Sequence, residues 1–200
     1  MFRKTLAGIV LALPLWVNAA ETTPSSWQFG GGLGLTMGGD EMGTVHIYRN
    51  GTRIQSENLR AGRLFHFDIG TRWRPASTPL MLQMTFGYHY NAANGKDLET
   101  GTEVVSAYFS RYPLEIIPAL RLGRHSLGLG VRHDFNPMLA ASGAGSLKFK
   151  DANGAVLEYG YSPIDNVTLG VRLVKIKYRP EIDEVSAKGD HVGINGRLWF

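Results

Sequence analysis

Six histidines are the groups in this 200-residue chain with the most evident chemical potential: His46, His66, His89, His125, His133 and His191. His66 and Asp68 are two residues apart, which on a strand puts both on one face, as a general base and its orienting carboxylate would be in a Ser-His-Asp relay. The third member is missing, because no Ser falls on an adjacent position of that face. His125-Ser126 lies at the opposite end of the same set of segments. No His or carboxylate pair has a recognised metal-ligand spacing, and Glu181, Asp183 and Glu184 read as a solvated loop. Gly30-Gly31-Gly32-Leu33-Gly34 lacks the Lys-Ser/Thr and the helix of a phosphate loop. With no Cys, the chain has no thiolate ligand, Cys nucleophile, disulfide or lipidated N-terminal Cys. The sequence therefore predicts no catalytic, metal or cofactor site, and a polar interior accounts for the histidines.

The elements that would carry such an interior follow from the segmentation. Arg3 and Lys4 precede an apolar run, Thr5 to Val17, too short to span a membrane. Val17-Asn18-Ala19 or Asn18-Ala19-Ala20 offers a small-residue cleavage site, so residues 1–20 read as a cleavable secretory signal peptide and residues 21–200 as one domain. Cleavage removes two of the 21 Lys and Arg and none of the 17 acids, leaving 19 against 17 and a formal charge of +2. That excess is too small to predict a nucleic-acid partner. No later apolar run reaches the length of a membrane helix, so only a closed barrel could place the mature chain in a membrane.

Eight segments alternate apolar and polar residues with the period of a strand: Trp27–Met37, Arg63–Trp73, Leu80–Tyr90, Glu103–Leu120, Ser126–Phe135, Ala155–Tyr161, Val167–Tyr178 and the C-terminal stretch from Asp190. Stretches of about ten such residues fit membrane-barrel strands. Connections 38–62, 91–102, 136–154 and 179–189 are long and polar, while those at Arg74–Thr78, Arg121–Arg124 and Ser162–Asn166 are short. Asn50-Gly51, between Val45–Tyr48 and Thr52–Gln55, predicts a tight hairpin that extends the first two strands beyond the membrane.

The polar parity interleaves Gly with single charges, as in Gly128, Gly130, Arg132, Asp134 and in Gly170, Arg172. Water-facing strands carry Lys, Thr and Glu instead. Gly beside isolated Arg suits a narrow lumen, and eight strands enclose an interior just wide enough for side chains to fill. The apolar parity therefore faces lipid rather than the core of a soluble ligand-binding barrel. Trp27, Trp73, Trp199 and Phe200 at one end, with Tyr88, Tyr90 and Phe135 at the other, are expected to form aromatic girdles. Inward charges should pair: Arg72, Arg111, Arg132, Arg172 and Arg197 with Asp68, Glu115, Asp134 and Glu158. The network is read as a structural plug, with a gated ion path as the alternative. Pro113 cannot donate to a ladder, so a bulge is expected there, with Arg111 and Glu115 inward.

The final strand, Asp190 to Phe200, sets Val192, Ile194, Leu198 and Phe200 on one face and ends on an aromatic residue. With the export signal and the loop rhythm, it resembles the small eight-stranded bacterial outer-membrane β-barrel proteins. The resemblance implies an all-β, eight-stranded antiparallel up-and-down transmembrane β-barrel with long extracellular loops and short periplasmic turns, in the cell outer membrane. It implies that Phe200 is an assembly signal read by the barrel-assembly machinery. The partners implied are periplasmic chaperones during biogenesis, then outer-membrane lipid and lipopolysaccharide. The function expected is non-enzymatic, in envelope integrity or surface interaction. A narrow channel for small or hydrophobic solutes is the alternative. Some such barrels modify lipid A, but the short His-and-Ser strand motif of the deacylase is absent here.

Overall fold

The alternating segments all form strands. The computed structural model describes residues 26–49, 52–96, 103–142, 145–182 and 186–200. The signal segment, the Asn50-Gly51 turn and the acids Asp183 and Glu184 lie outside the described residues. In chain order the strands are β1 (Ser26–Gly38), β2 (Glu41–Arg49), β3 (Thr52–Arg60), β4 (Leu64–Arg74), β5 (Leu80–Lys96), β6 (Glu103–Leu122), β7 (His125–Ala141), β8 (Gly145–Lys148), β9 (Ala152–Ile164), β10 (Val167–Tyr178), β11 (Ala187–Lys188) and β12 (His191–Trp199).

Eight of them close a ring of antiparallel pairs in the order β1-β4-β5-β6-β7-β9-β10-β12 and back to β1. Closure leaves no edge in the ring, and every ladder hydrogen bond is made within the wall. The register carries one outward row across successive strands: Tyr90, Phe65, Leu35, Ile194, Val171, Tyr159 and Leu127 pair in turn. Phe200 belongs to the seam, exchanging backbone hydrogen bonds with Phe29 at 2.7 and 3.0 Å. Among the described residues no helix is long and apolar enough to cross a membrane.

The wall has two storeys. In the storey nearer the short turns, Leu33, Leu35, Ile69, Leu129, Val131, Leu169, Val171 and Ile194 are exposed, and the charged residues are buried. On β10 the pattern then inverts: Lys175 and Lys177 face outward while Val174, Ile176 and Tyr178 are buried. The interior of this second storey is an apolar cluster that includes Leu59, Phe109, Phe149, Val174, Ile176 and Tyr178.

The structure corrects several expectations. Strands β5 and β7 run to Lys96 and Ala141, well into segments read as loops, because ladder pairing such as Asn91 with Phe109 needs no apolar alternation. The β2–β3 hairpin does not extend β1 and β4. It is a separate two-stranded sheet, because the chain leaves and re-enters the wall through positive-φ residues, Gly38 and Gly39 on one side and Leu64 on the other. A side chain at Gly39 would press within 2.4 Å of Gly62 N. The bulge lies not at Pro113 but across the ladder in β7, where Asn136 adopts φ 47° and an extra residue slips the register between Ser110 and Tyr112. Asn136 N is satisfied by Asp151 Oδ1 at 2.8 Å. Pro113 itself pairs with Asp134, while pairing with β5 is interrupted at Gly87 and Tyr88.

Candidate functional site

The lumen of the membrane storey is built from one or two inward charged side chains on each of six strands. Asp68 comes from β4, Glu115 and Arg111 from β6, Arg132 and Asp134 from β7, Glu158 from β9, Arg172 from β10 and Arg197 from β12. Strand β1 contributes space instead. Gly32 pairs with both Arg197 and Asp68, and a Cβ there would come within 2.5 Å of Arg197 Cγ. Glycine thus lets the Arg197 side chain cross β1 and reach Asp68 at 3.0–3.2 Å.

These eight groups form one chain of alternating sign. Arg197 bonds Asp68 and also Glu158 at 2.7 Å. Glu158 lies 3.5 Å from Arg172, which bonds Glu115 more closely. Glu115 accepts from Arg132 at 3.0 Å, and Arg132 reaches Asp134 at 2.6 Å. Asp134 then meets Arg111 at 3.2 Å. Four guanidiniums face four carboxylates. Burying a charge is costly unless it is paired and hydrogen-bonded, and here each charge has an opposite neighbour. Gln83 and Thr85 of β5 add donors to Glu158 and Glu115 at 3.3 and 3.4 Å. Each of the four guanidinium residues is 2% exposed or less, so the lumen is sealed from water at this level.

Arg72 does not join this chain. It lies nearer the turns, donating to Gln28 Oε1 at 2.7 and 3.1 Å, to Thr168 at 3.2 Å and to the Asp165 carbonyl at 2.9 Å. Beneath it lies Trp199, whose ring centroid is 4.7 Å from the guanidinium and whose Nε1 donates to Thr168 Oγ1 at 3.2 Å. Trp199 is therefore a lumen residue and not part of the outer girdle, because its parity is that of Arg197. The outer aromatics near the turns include Trp27 and Trp73, stacked at 5.8 Å, and the exposed Phe29 and Phe200. Towards the second storey, Phe86, Tyr112, Tyr88, Tyr90 and Tyr108 form a contiguous outer ladder, with successive ring centroids 5.3–6.4 Å apart.

Three histidines separate the two storeys. His89 lies between His66 and His191, with ring centroids at 5.6 and 5.2 Å. It bonds Thr36 Oγ1 at 2.9 Å and Arg111 at 2.8 Å. His66 Nδ1 is 3.6 Å from Asp68, but the hydroxyl in this layer is Thr36, which bonds His89. His125 and His133 lie elsewhere, on Tyr159 and Asn153 respectively. Among the described residues no group of three His, Asp or Glu is placed to hold a metal ion. Above the histidines, Arg111 lies 5.0 Å from the Phe109 ring and 5.5 Å from Tyr178, and the Tyr178 hydroxyl bonds Asp134. Leu59 near the end of β3 and Ala61 just after it complete the apolar cap at 1% and 0% exposure.

A closed ring of eight antiparallel strands, apolar outside and charged within over one storey, decides the architecture. The chain is an eight-stranded antiparallel β-barrel with an apolar outer face. No protein-family model and no curated protein matches this barrel. Solved structures similar to the barrel include Neisserial surface protein A, at 11% identity and TM-score 0.49, covering 89% of this chain and 100% of that one. Ail, the attachment invasion locus protein of Yersinia pestis, solved with the heparin analogue sucrose octasulfate, has 16% identity and TM-score 0.44 over 88% and 97%. The outer membrane protein OprG from Pseudomonas aeruginosa has 12% identity and TM-score 0.42 over 90% and 97%.

Sequence reasoning placed the nine charged residues on inward parities but missed the histidine layer and the apolar cap of the barrel. The cap had a sequence signal, since Leu173-Val174-Lys175-Ile176-Lys177-Tyr178 exchanges its polar and apolar parities within one strand. The inward parity of His66, His89 and His191 was legible, but their meeting was not, because it depends on the stagger between β4, β5 and β12.

Proposed function

We propose that this barrel is a non-enzymatic, non-conducting protein of the cell outer membrane that contributes to envelope integrity or surface interaction through its second storey. The observation that carries the reading is double closure: the alternating charge chain fills one level of the lumen, and the apolar cap fills the next. Planar-bilayer recording on the full mature chain tests it. No unitary conductance is expected, and reproducible open steps that vanish on Glu115→Gln would overturn it.

Outer-membrane lipid, including lipopolysaccharide, is the proposed partner of the outer wall. Lys175 and Lys177 continue the outward face of β10 directly above Leu169, Val171 and Leu173, where anionic headgroups would meet the hydrocarbon edge. The barrel-assembly machinery and periplasmic chaperones are the proposed partners during biogenesis, with Phe200 as the recognised terminus. The apolar cap supports a second reading, a path for hydrophobic solutes opened by displacement of the hairpin. Uptake of a hydrophobic dye by vesicles carrying the protein, raised by deleting residues 41–60, would favour that reading. Mass spectrometry of lipid A with and without the protein tests enzymatic modification, and no mass change is expected.

A further inference from the structure

The charge balance of the lumen breaks at the mouth formed by the short turns. Arg72, Arg74, Arg121 and Arg124 line one small cleft there together with Ser126, Ser162 and Asp165. Asp165 is the sole acidic side chain in the three turns, and it is 78% exposed and 3.4 Å from Arg121. The Arg72 and Arg74 guanidiniums converge instead on one neutral acceptor, Gln28 Oε1. Deeper in the barrel each guanidinium meets a carboxylate, so four cations beside one exposed acid depart from the pattern of the same interior.

We propose that this mouth is a binding site for a phosphate group, held by Arg74, Arg121 and Arg124 above the buried charge of Arg72. Guanidinium forks match the oxygens of a tetrahedral oxyanion in paired, charge-assisted hydrogen bonds. The hydroxyls of Ser126 and Ser162 line the same cleft as further donors. Arg72 is held by Gln28, Thr168, the Asp165 carbonyl and the Trp199 ring, so it supplies a fixed positive charge at the floor of the cleft. The cleft opens at the lumen mouth and not on the outer wall. A soluble phosphate or phosphate ester reaches it directly, and a lipid headgroup reaches it only by folding over the rim.

Nuclear magnetic resonance of the full mature barrel in an uncharged maltoside detergent tests the site through the arginine Nε–Hε signals. One arm titrates inorganic phosphate at constant ionic strength against chloride. The other titrates a short-chain phosphatidylglycerol below its micellar concentration. Saturable shifts of the Arg74 and Arg121 signals are expected in at least one arm, and the tighter arm names the source. Arg74→Gln combined with Arg121→Gln should weaken binding by about tenfold or more. Asp165→Asn, an exposed change that leaves the wall intact, should tighten it by about threefold. Altered gel migration before and after boiling verifies that each variant is folded. Shifts equal to those with chloride, or affinities unchanged by all of these substitutions, would overturn the proposal.

Discussion

Val171 and Arg172 are neighbours whose side chains live in different solvents. Val171 is 47% exposed on the outer wall, and Arg172 is 1% exposed in the lumen. Val171→Arg should cost about 2–4 kcal/mol by placing a cation near the hydrocarbon midplane. Arg172→Leu breaks a buried pair, which costs about 3–5 kcal/mol. The lower end applies, because Glu115 keeps Arg132 and Glu158 keeps Arg197. Adding Glu115→Gln should restore part of the loss in Arg172→Leu, since Glu115 is its nearer partner, and none in Val171→Arg. Urea unfolding in lipid vesicles measures all four variants. Recovery of Val171→Arg by Glu115→Gln would mean that the two faces are reversed. Strand adjacency alone favours Glu158, the ladder partner of Arg172. The structure prefers Glu115, because barrel curvature brings β6 across the lumen to β10.

At the scale of elements, the hairpin and β10 tell one story. Once the strands rise past the hydrocarbon, water lies outside, so the apolar parity turns inward and needs a lid. Leu59 supplies it as the hairpin folds over the mouth. Leu59→Ser should release the hairpin locally. Limited proteolysis should cut within residues 41–60 several times faster, while heat-dependent gel migration of the barrel stays unchanged. Loss of both together would show that the cap and the wall fold as one unit. The β7 bulge is a second device of this scale. Asn136 holds a left-handed backbone that a β-branched residue resists, so Asn136→Val should destabilise by about 1–3 kcal/mol and Asn136→Gly should be nearly neutral, read by the same urea titration.

For the whole molecule, closure is the property on which everything else depends, and it is completed at the β12–β1 seam. Phe200 contributes two backbone hydrogen bonds there and stays 78% exposed to the surroundings of the barrel. Deleting Phe200 should slow membrane insertion and expose the chain to periplasmic proteases. Deleting one residue of the 75–79 turn should have a smaller effect on insertion rate. Pulse-chase labelling followed by fractionation distinguishes them, with the full chain recovered in the outer-membrane fraction. Equal insertion rates for the two deletions would remove the assembly role from the terminus, and recovery of the intact chain as a soluble periplasmic protein would contradict the membrane assignment.

The sequence by itself determined the eight strands of the wall, their closed antiparallel order, the outward apolar parity and the inward placement of Asp68, Arg111, Glu115, Arg132, Asp134, Glu158, Arg172 and Arg197. A period of two is a local property, and each residue's face follows from its neighbours along the chain. The same parity had already set Trp199 beside Arg197, and reading it as a girdle residue weighed aromatic type over position. Only the tertiary structure decided who meets whom across the lumen. The alternating order from Asp68 to Arg111, the separation of Arg72 from that order and the meeting of His66, His89 and His191 depend on shear and curvature, which are properties of the closed ring. No segment of the chain encodes those distances alone, because they are fixed when β12 returns to β1.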